Sequence, residues 1–336
     1  MAEEKEKKKK FENVSVLMKN CVVSTKHIRE GKVKEIISIS PSIDDILGGG
    51  IESGSLCLIV GKEKLGKTST CLHIAKKLQQ AGYNIVYCNV EMRLSKRDIS
   101  SAIGLDEDEH RLRIVMSTED HIMSGQDYLS IADQIFSTEK RVAIFIDSFS
   151  QMISQDNLEG DLRDMSRDSM PLILSKFCKR VMPYLYIHDN ICVGITHEVA
   201  NTSGYGSTIS ETSGRKIQYA NNFKLRLAKS ESWEEGQIRV GQIMHWECKN
   251  SALGPPGKTS LGYLRYNEGI DEEYELLVTA HALQLVKKAG VWYYFGEDKA
   301  CGVAGGVTYL REHPETFQQI RKEVLERLGS YRSIGE

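Results

Sequence analysis

The run Val60-Gly61-Lys62-Glu63-Lys64-Leu65-Gly66-Lys67-Thr68 constrains this chain more than any other stretch. An apolar segment, Leu56-Cys57-Leu58-Ile59-Val60, leads into it, and Ser69-Thr70-Cys71-Leu72-His73-Ile74-Ala75-Lys76-Lys77-Leu78 leads out. Strand, glycine-bounded loop and Lys-Thr at a helix start together form a cradle for nucleotide phosphates. Loop N–H groups and the first helical turn converge on the anion, Lys67 adds a point charge, and the Thr68 hydroxyl can ligate Mg²⁺. Glycine lets the backbone approach the ligand without a Cβ in the way. Gly61 to Ser69 are therefore candidate ATP-binding residues.

Composition narrows the class further. At 336 residues the chain can hold one large domain or two smaller ones, and 40% hydrophobic with 27% charged residues is ordinary for a globular protein. A net charge of −2 leaves only local basic patches for contact with nucleic acid. The eight cysteines include no CxxC pair, which predicts buried thiols rather than disulfides or zinc. With no signal peptide and no apolar stretch of membrane-spanning length, a cytoplasmic protein is expected.

Four apolar runs at 56–60, 84–90, 141–147 and 190–196 alternate with helical stretches, which predicts a mostly parallel sheet. Gly82 marks the end of the helix after the phosphate loop. Segments 223–229, 238–249 and 260–266 read as antiparallel strands that extend the sheet. A helix over roughly 272–289, a strand at 291–295 and a helix opening at Pro314 and closing before Gly329 suggest a small α/β appendage. Ahead of the main domain, Phe11, Val14, Leu17 and Met18 form a helical stripe that packs on its own domain or on a neighbouring subunit. These features divide the chain into an arm (1–34), a core (35–269) and a C-terminal domain (270–336). Residues 198–216 lack periodicity and are rich in Ser, Thr and Gly, so they are expected to be a functional loop.

Ligands of open parallel sheets lie beyond the carboxyl ends of the strands. Those ends carry Lys67 and Thr68, then Glu91, Asp147 and His197. Asp147 closes an apolar strand, where a carboxylate suits Mg²⁺ beside Thr68, or caps the next helix. Glu91 is placed to accept a proton from, or orient, a water that attacks the γ-phosphate, or to form a salt bridge. His197 is either a γ-phosphate sensor or a satisfied core residue.

This order of motifs resembles the RecA recombinase family. So do Leu264-Arg265-Tyr266-Asn267-Glu268-Gly269-Ile270, Lys288-Ala289-Gly290-Val291-Trp292-Tyr293-Tyr294 and Tyr309-Leu310-Arg311-Glu312-His313-Pro314-Glu315-Thr316. The likeness spans about residues 35–328, and Thr196-His197 is closer to the phage UvsX-like type than to bacterial members. It implies a RecA-like P-loop ATPase core with its parallel sheet extended by antiparallel strands, plus an N-terminal helical arm and a small C-terminal domain. It also implies a DNA-dependent ATPase, using ATP and Mg²⁺, that forms helical filaments on single-stranded DNA and exchanges strands with a homologous duplex. A single-strand-binding protein and a loading mediator are further partners of such a protein. The alternative is an accessory or mediator ATPase without strand exchange.

Position by position, the resemblance makes Glu91 the catalytic carboxylate and Asp147 the metal-side residue. His197 couples the γ-phosphate to a DNA loop at 198–216, and residues 158–168 match the other DNA loop. Tyr266 lies near the adenine, and Lys249 reaches the ATP of the next subunit. Arg163 and Arg167 in the first loop, and Gly214, Arg215 and Lys216 in the second, would track DNA phosphates; Tyr205 would stack a base or lie exposed. Three departures stand out. A second trans-acting lysine of the family falls on Ser251, which leaves Lys258 as a substitute; Arg97 stands where bacterial members place an adenine-stacking tyrosine; and Ser213-Gly214 replaces a Gly pair.

Overall fold

Leu56–Gly61 is apolar at every position and buried on both faces, as a strand in the middle of a covered sheet must be. The computed structural model describes residues 33–95, 104–161, 168–202, 207–212 and 220–328, together with Cys21, Asp98 and Ile217. Residues 1–35 and 36–336 form separate units, and the elements of the fold lie in the second. The expected N-terminal stripe at Phe11–Met18 lies outside the described residues.

In chain order the elements are β1 (Ile36–Ile37), α1 (Pro41–Leu47), β2 (Ile51–Glu52), β3 (Leu56–Gly61), α2 (Lys67–Gln80), β4 (Asn84–Asn89) and β5 (Leu112–Val115). They continue with α3 (Gly125–Thr138), β6 (Val142–Asp147), α4 (Gln155–Glu159), α5 (Met170–His188), β7 (Ile191–Thr202), β8 (Ser207–Glu211), β9 (Phe223–Glu235) and β10 (Ile238–Asn250). The last are β11 (Thr259–Arg265), β12 (Gly269–Ile270), α6 (Glu272–Ala282), β13 (Lys287–Ala289), β14 (Trp292–Phe295), β15 (Asp298–Cys301), α7 (Gly302–Glu312) and α8 (Pro314–Arg327).

The main sheet runs β12-β11-β10-β9-β3-β7-β6-β4-β5. Strands β9, β3, β7, β6, β4 and β5 are parallel, and β10, β11 and β12 add on antiparallel. This is the mostly parallel sheet with an antiparallel extension that the hydrophobic pattern predicts. Alternate residues of β3 face two separate apolar layers. Cys57 and Ile59 pack with Ile74 and Leu78 of α2, while Leu58 and Val60 pack with Phe136 of α3 and Val181 of α5. A third cluster joins Leu276, Tyr293, Phe295, Leu310 and Val324 around the small β13-β14-β15 sheet. Six cysteines are buried and all eight are free; burial pushes the Cys57 and Cys88 thiols up to about 12.

Two expectations are corrected. Within 198–216, the described residues 198–202 and 207–211 are not loop but strand: β7 extends to Thr202 and pairs antiparallel with β8, from Glu198 opposite Glu211 to Thr202 opposite Ser207. These two strand segments carry little apolar alternation in sequence, so a search for periodicity passes over them. The helix expected over 272–289 stops at Ala282. There Gln284 turns to φ 61°, and the Ala280 carbonyl accepts from both Leu285 and Val286, which frees Lys287–Ala289 to pair with β14. Pro314 and Arg327 bound the final helix, where the sequence places it.

Candidate nucleotide site

The loop between β3 and α2 is shaped by two glycines. Gly66 sits in the left-handed region at φ 100°. A Cβ on Gly61 would meet the Leu227 carbonyl oxygen at 2.7 Å, because β9 lies against that end of β3. No side chain caps α2, since Gly66 is its N-cap. With glycine in place of a Ser or Asp cap the cost is only about a few tenths of a kcal/mol. Burial of Leu72, Ile74 and Leu78 on the same helix outweighs this, at about 1.5–3 kcal/mol for each large side chain. The uncapped N–H groups of the first turn are thus left to an anion.

Four strand ends converge around this loop. A cleft of about 310 Å³ is lined by Glu63, Lys64, Gly66, Lys67, Thr68, Ser69, Glu91, Arg93, Asp147, His197, Gln242, Leu264 and Tyr266. The parallel register explains the convergence: Asn89 pairs with Asp147 on one side of β6, and Gly61 pairs with His197 across β3 and β7. Of the sequence-derived ATP-site residues, Gly61 ends β3, the Lys62 carbonyl accepts from Lys67 Nζ at 2.5 Å, and Leu65 packs on the core. Arg97 lies outside the described residues, as do Arg163, Arg167, Tyr205, Gly214, Arg215 and Lys216.

Asp147 Oδ2 accepts from the Thr68 hydroxyl at 2.8 Å and from the Tyr87 hydroxyl at 2.8 Å. Burial raises the Asp147 carboxyl above the usual carboxylate range, while the two hydroxyls pull it down. A buried carboxylate next to a Thr hydroxyl, at the mouth of an anion cradle, fits a divalent cation that would offset this desolvation. Among the described residues no three His, Cys, Asp or Glu side chains cluster as metal ligands. The site therefore suits a metal held mainly through phosphates and one or two protein oxygens. Lys67 is buried, which lowers its ammonium from the ordinary range against the opposing pull of Glu91 and Asp147.

Both Glu91 oxygens are engaged. Oε1 accepts from Ser148 Oγ at 2.8 Å and lies 3.6 Å from His197 Nε2, and Oε2 pairs with Arg93 Nη1 at 3.0 Å. Burial, and then the Lys67 charge, lower the His197 imidazole from its ordinary range, which favours its neutral form. Among the described residues its Nδ1 is buried without a hydrogen-bond partner, as is Gln242 Oε1 in the same cleft. The His197 N–H donates to Ser150 Oγ at 2.8 Å, and its carbonyl accepts from the Thr212 N–H at 3.1 Å, where the hairpin returns. The cleft and the hairpin base are therefore contiguous through one residue.

Lys249 does not enter this cleft. It is exposed on β10, with Nζ 2.5 Å from Glu247 Oε1. Lys258, the substitute considered for the lysine replaced by Ser251, bonds Asp45 Oδ1 at 3.0 Å and the Leu328 carbonyl at 3.4 Å. It therefore holds the last helix to α1. Ser251 itself closes a turn, donating to the Leu47 carbonyl at 2.6 Å. Sequence reasoning missed Tyr87, Arg93, Gln242 and Leu264. Arg93 lies two residues past Glu91 and could have been found from that spacing; Gln242 and Leu264 reach the cleft only because β10 and β11 fold beside β9.

Comparison with known proteins agrees with this geometry. The family model described as the RecA N-terminal domain matches residues 5–271, and that of the RecA C-terminal domain matches residues 274–329. A protein named RecA from Thermotoga neapolitana is 25% identical, with 99% of this chain and 96% of its own covered. RecA proteins of Aquifex pyrophilus and Lactobacillus johnsonii are 25% and 24% identical, covering 95% and 89% of this chain and 91% and 81% of theirs.

Proposed function

This chain belongs to the RecA family, and on that premise we propose that it is a DNA-dependent ATPase and recombinase. It assembles as a helical filament on single-stranded DNA and exchanges that strand into a homologous duplex. The observation that carries this reading is the continuity at His197, whose ring lines the phosphate-loop cleft while its backbone anchors the β7–β8 hairpin. Occupancy of the cleft and the arrangement of the hairpin are then linked by one strand.

In this reading ATP would lie on Gly61–Ser69 with its base toward Tyr266 and Arg97, and Thr68 and Asp147 would hold Mg²⁺. Bound Mg²⁺ supplies positive charge to the phosphate oxygens. Lys67 neutralises the same oxygens, Glu91 orients the attacking water, and His197 responds to the γ-phosphate. Lys249 serves the ATP of the next subunit, which makes the nucleotide a joint of the filament. Arg163, Arg167, Tyr205, Gly214, Arg215 and Lys216 contact DNA. The arm 1–34 precedes an ATPase core (35–269) and a C-terminal domain (270–336). Thr196-His197 supports a phage UvsX-like member, acting in a bacterial or infected-host cytoplasm with a single-strand-binding protein and a loading mediator. Among the described residues no helix is long and apolar enough to cross a membrane.

Purified protein tests this. Hydrolysis of ATP rises on adding single-stranded DNA, and strands exchange between a homologous circle and duplex. Lys67→Ala loses hydrolysis and filament extension together. Hydrolysis without any strand exchange would replace this reading with the accessory or mediator ATPase.

A further inference from the structure

A line of alternating charges crosses the sheet outside the cleft. Arg226 on β9 donates from Nε to Glu198 Oε1 at 2.6 Å and from Nη2 to Glu198 Oε2 at 3.0 Å. Its third nitrogen, Nη1, donates to Glu247 Oε2 at 3.2 Å. Glu247 Oε1 in turn accepts from Lys249 Nζ at 2.5 Å. Glu198 follows His197 directly in the chain.

The placement of this line is specific. Glu198 and Arg226 do not lie on neighbouring strands, because β3 runs between β7 and β9. Val60 faces Thr196 on one side and Arg226 on the other, and Gly61 faces His197 and Leu227. Since β3 ends at Gly61, the forked pair closes over the point where the strand becomes the phosphate loop. Side-chain exposure rises along the line, from 5% at Glu198 through 19% at Arg226 and 25% at Glu247 to 41% at Lys249. It therefore leads from beside the nucleotide cleft to the surface.

A two-pronged guanidinium–carboxylate contact, largely shielded from water, fixes orientation far better than an exposed Lys–Glu pair. The planar fork has a further consequence. With three of its nitrogens committed to two carboxylates, Arg226 cannot follow a displacement of Glu198 without loosening its bond to Glu247. Glu247 is the only partner of the Lys249 ammonium among the described residues, so the direction in which Lys249 leaves the sheet depends on Glu247.

We propose that Glu198, Arg226 and Glu247 are positioning residues that link the strand carrying His197 to Lys249, so that the nucleotide state of one subunit sets the reach of its own lysine toward the ATP of the next. This regulation rests on the reading that Lys249 serves a neighbouring site. It makes successive ATP sites along the filament cooperative, with the coupling carried inside each subunit rather than through DNA.

The test uses the full chain, with Arg226→Met, Arg226→Lys, Glu198→Gln and Lys249→Ala compared with the parent. Three readouts are taken: thermal unfolding, affinity for a fluorescent ATP analogue without DNA, and the ATP dependence of hydrolysis on single-stranded DNA. Arg226→Met and Glu198→Gln are expected to keep analogue affinity within about twofold. Their DNA-stimulated turnover falls about fivefold or more, and the Hill coefficient for ATP moves toward one, as a lost coupling between linked sites requires. Arg226→Lys, which keeps the charge without the fork, recovers only part of the loss. Arg226→Met or Glu198→Gln protein with parental turnover and Hill coefficient, alongside Lys249→Ala protein that has lost turnover, overturns the coupling and leaves the shared site standing. Lys249→Ala protein with parental turnover and filaments overturns both.

Discussion

The Thr68 hydroxyl donates to Asp147 Oδ2 at 2.8 Å, joining the first turn of α2 to the end of β6 across 79 residues of chain. Tyr87, on the strand between β5 and β6, donates to the same oxygen at 2.8 Å. Its ring is stacked on Phe145 at 6.0 Å, so Tyr87→Phe keeps the packing and removes only the hydroxyl. Loss of such a supporting bond weakens metal binding about 10–100-fold. The Mg²⁺ concentration that half-saturates hydrolysis should rise accordingly, with stability down by about 1 kcal/mol. An unchanged Mg²⁺ titration would separate Asp147 from the metal.

Glu91→Gln should separate binding from turnover. The amide keeps the shape and accepts from Ser148 as Glu91 does, but it cannot take a proton. Removal of a general base costs about 10²–10⁴-fold in rate. Filaments with ATP should persist and single-turnover hydrolysis should stop; failure to bind an ATP analogue would contradict the catalytic role.

Gly66→Ala tests the backbone of the loop. The new Cβ would stand at φ 100° and 3.2 Å from Leu264 Cδ2, so the side chain meets an unfavourable conformation and a packed neighbour at once. Strain of this kind costs on the order of 1–3 kcal/mol, most cheaply relieved by moving the loop. Nucleotide affinity is therefore expected to fall by roughly 10-fold or more, which is about 1.4 kcal/mol. Calorimetric titration with an ATP analogue measures it, and parental affinity would mean that the loop adopts another conformation when loaded.

Glu272 ties α6 to the helix of the phosphate loop, accepting from Lys77 Nζ at 2.9 and 3.0 Å with His73 Nε2 at 3.4 Å. Burial works to raise its carboxyl, but His73 and Lys77 outweigh this and bring it from 4.5 down to about 2. A carboxyl depressed in the fold contributes stability that is complete above its unfolded value and is lost as pH falls through the folded one. Its contribution, on the order of 3 kcal/mol, should fade between about pH 4.5 and 2. Urea unfolding of the parent and of Glu272→Gln should differ at pH 7 and converge at pH 2; a difference that does not change with pH would rule out an ionic role.

The chemistry along the chain was legible where it depends on neighbours in sequence. Gly61 and Gly66 around a lysine and threonine, apolar runs long enough for buried strands, and carboxylates closing those runs at Glu91 and Asp147 are all local patterns. So are the residues from Leu264 to Thr316 that resemble the family's C-terminal region. Local reading went astray where a segment ends by a backbone turn rather than by its composition. At Ala280–Val286 the apolar spacing continues after the helix has stopped, and at 198–202 and 207–211 the two strand segments offer little alternation to detect.

The strand order was decided only by the tertiary structure. Placing β9 and β7 on the two sides of β3 brings Arg226 to Glu198, and folding β10 and β11 beyond β9 brings Gln242 and Leu264 to the phosphate loop. Tyr87 reaches Asp147 for the same reason, through the β4–β6 register. The sequence alone carries the phosphate-cradle pattern and locates it at Gly61–Thr68, because such a cradle is built from consecutive backbone groups. Which side chains surround that loop, and which charges lead away from it, depended on pairings between distant strands, whose hydrogen bonds and packing leave no periodic trace in the residues that they bring together.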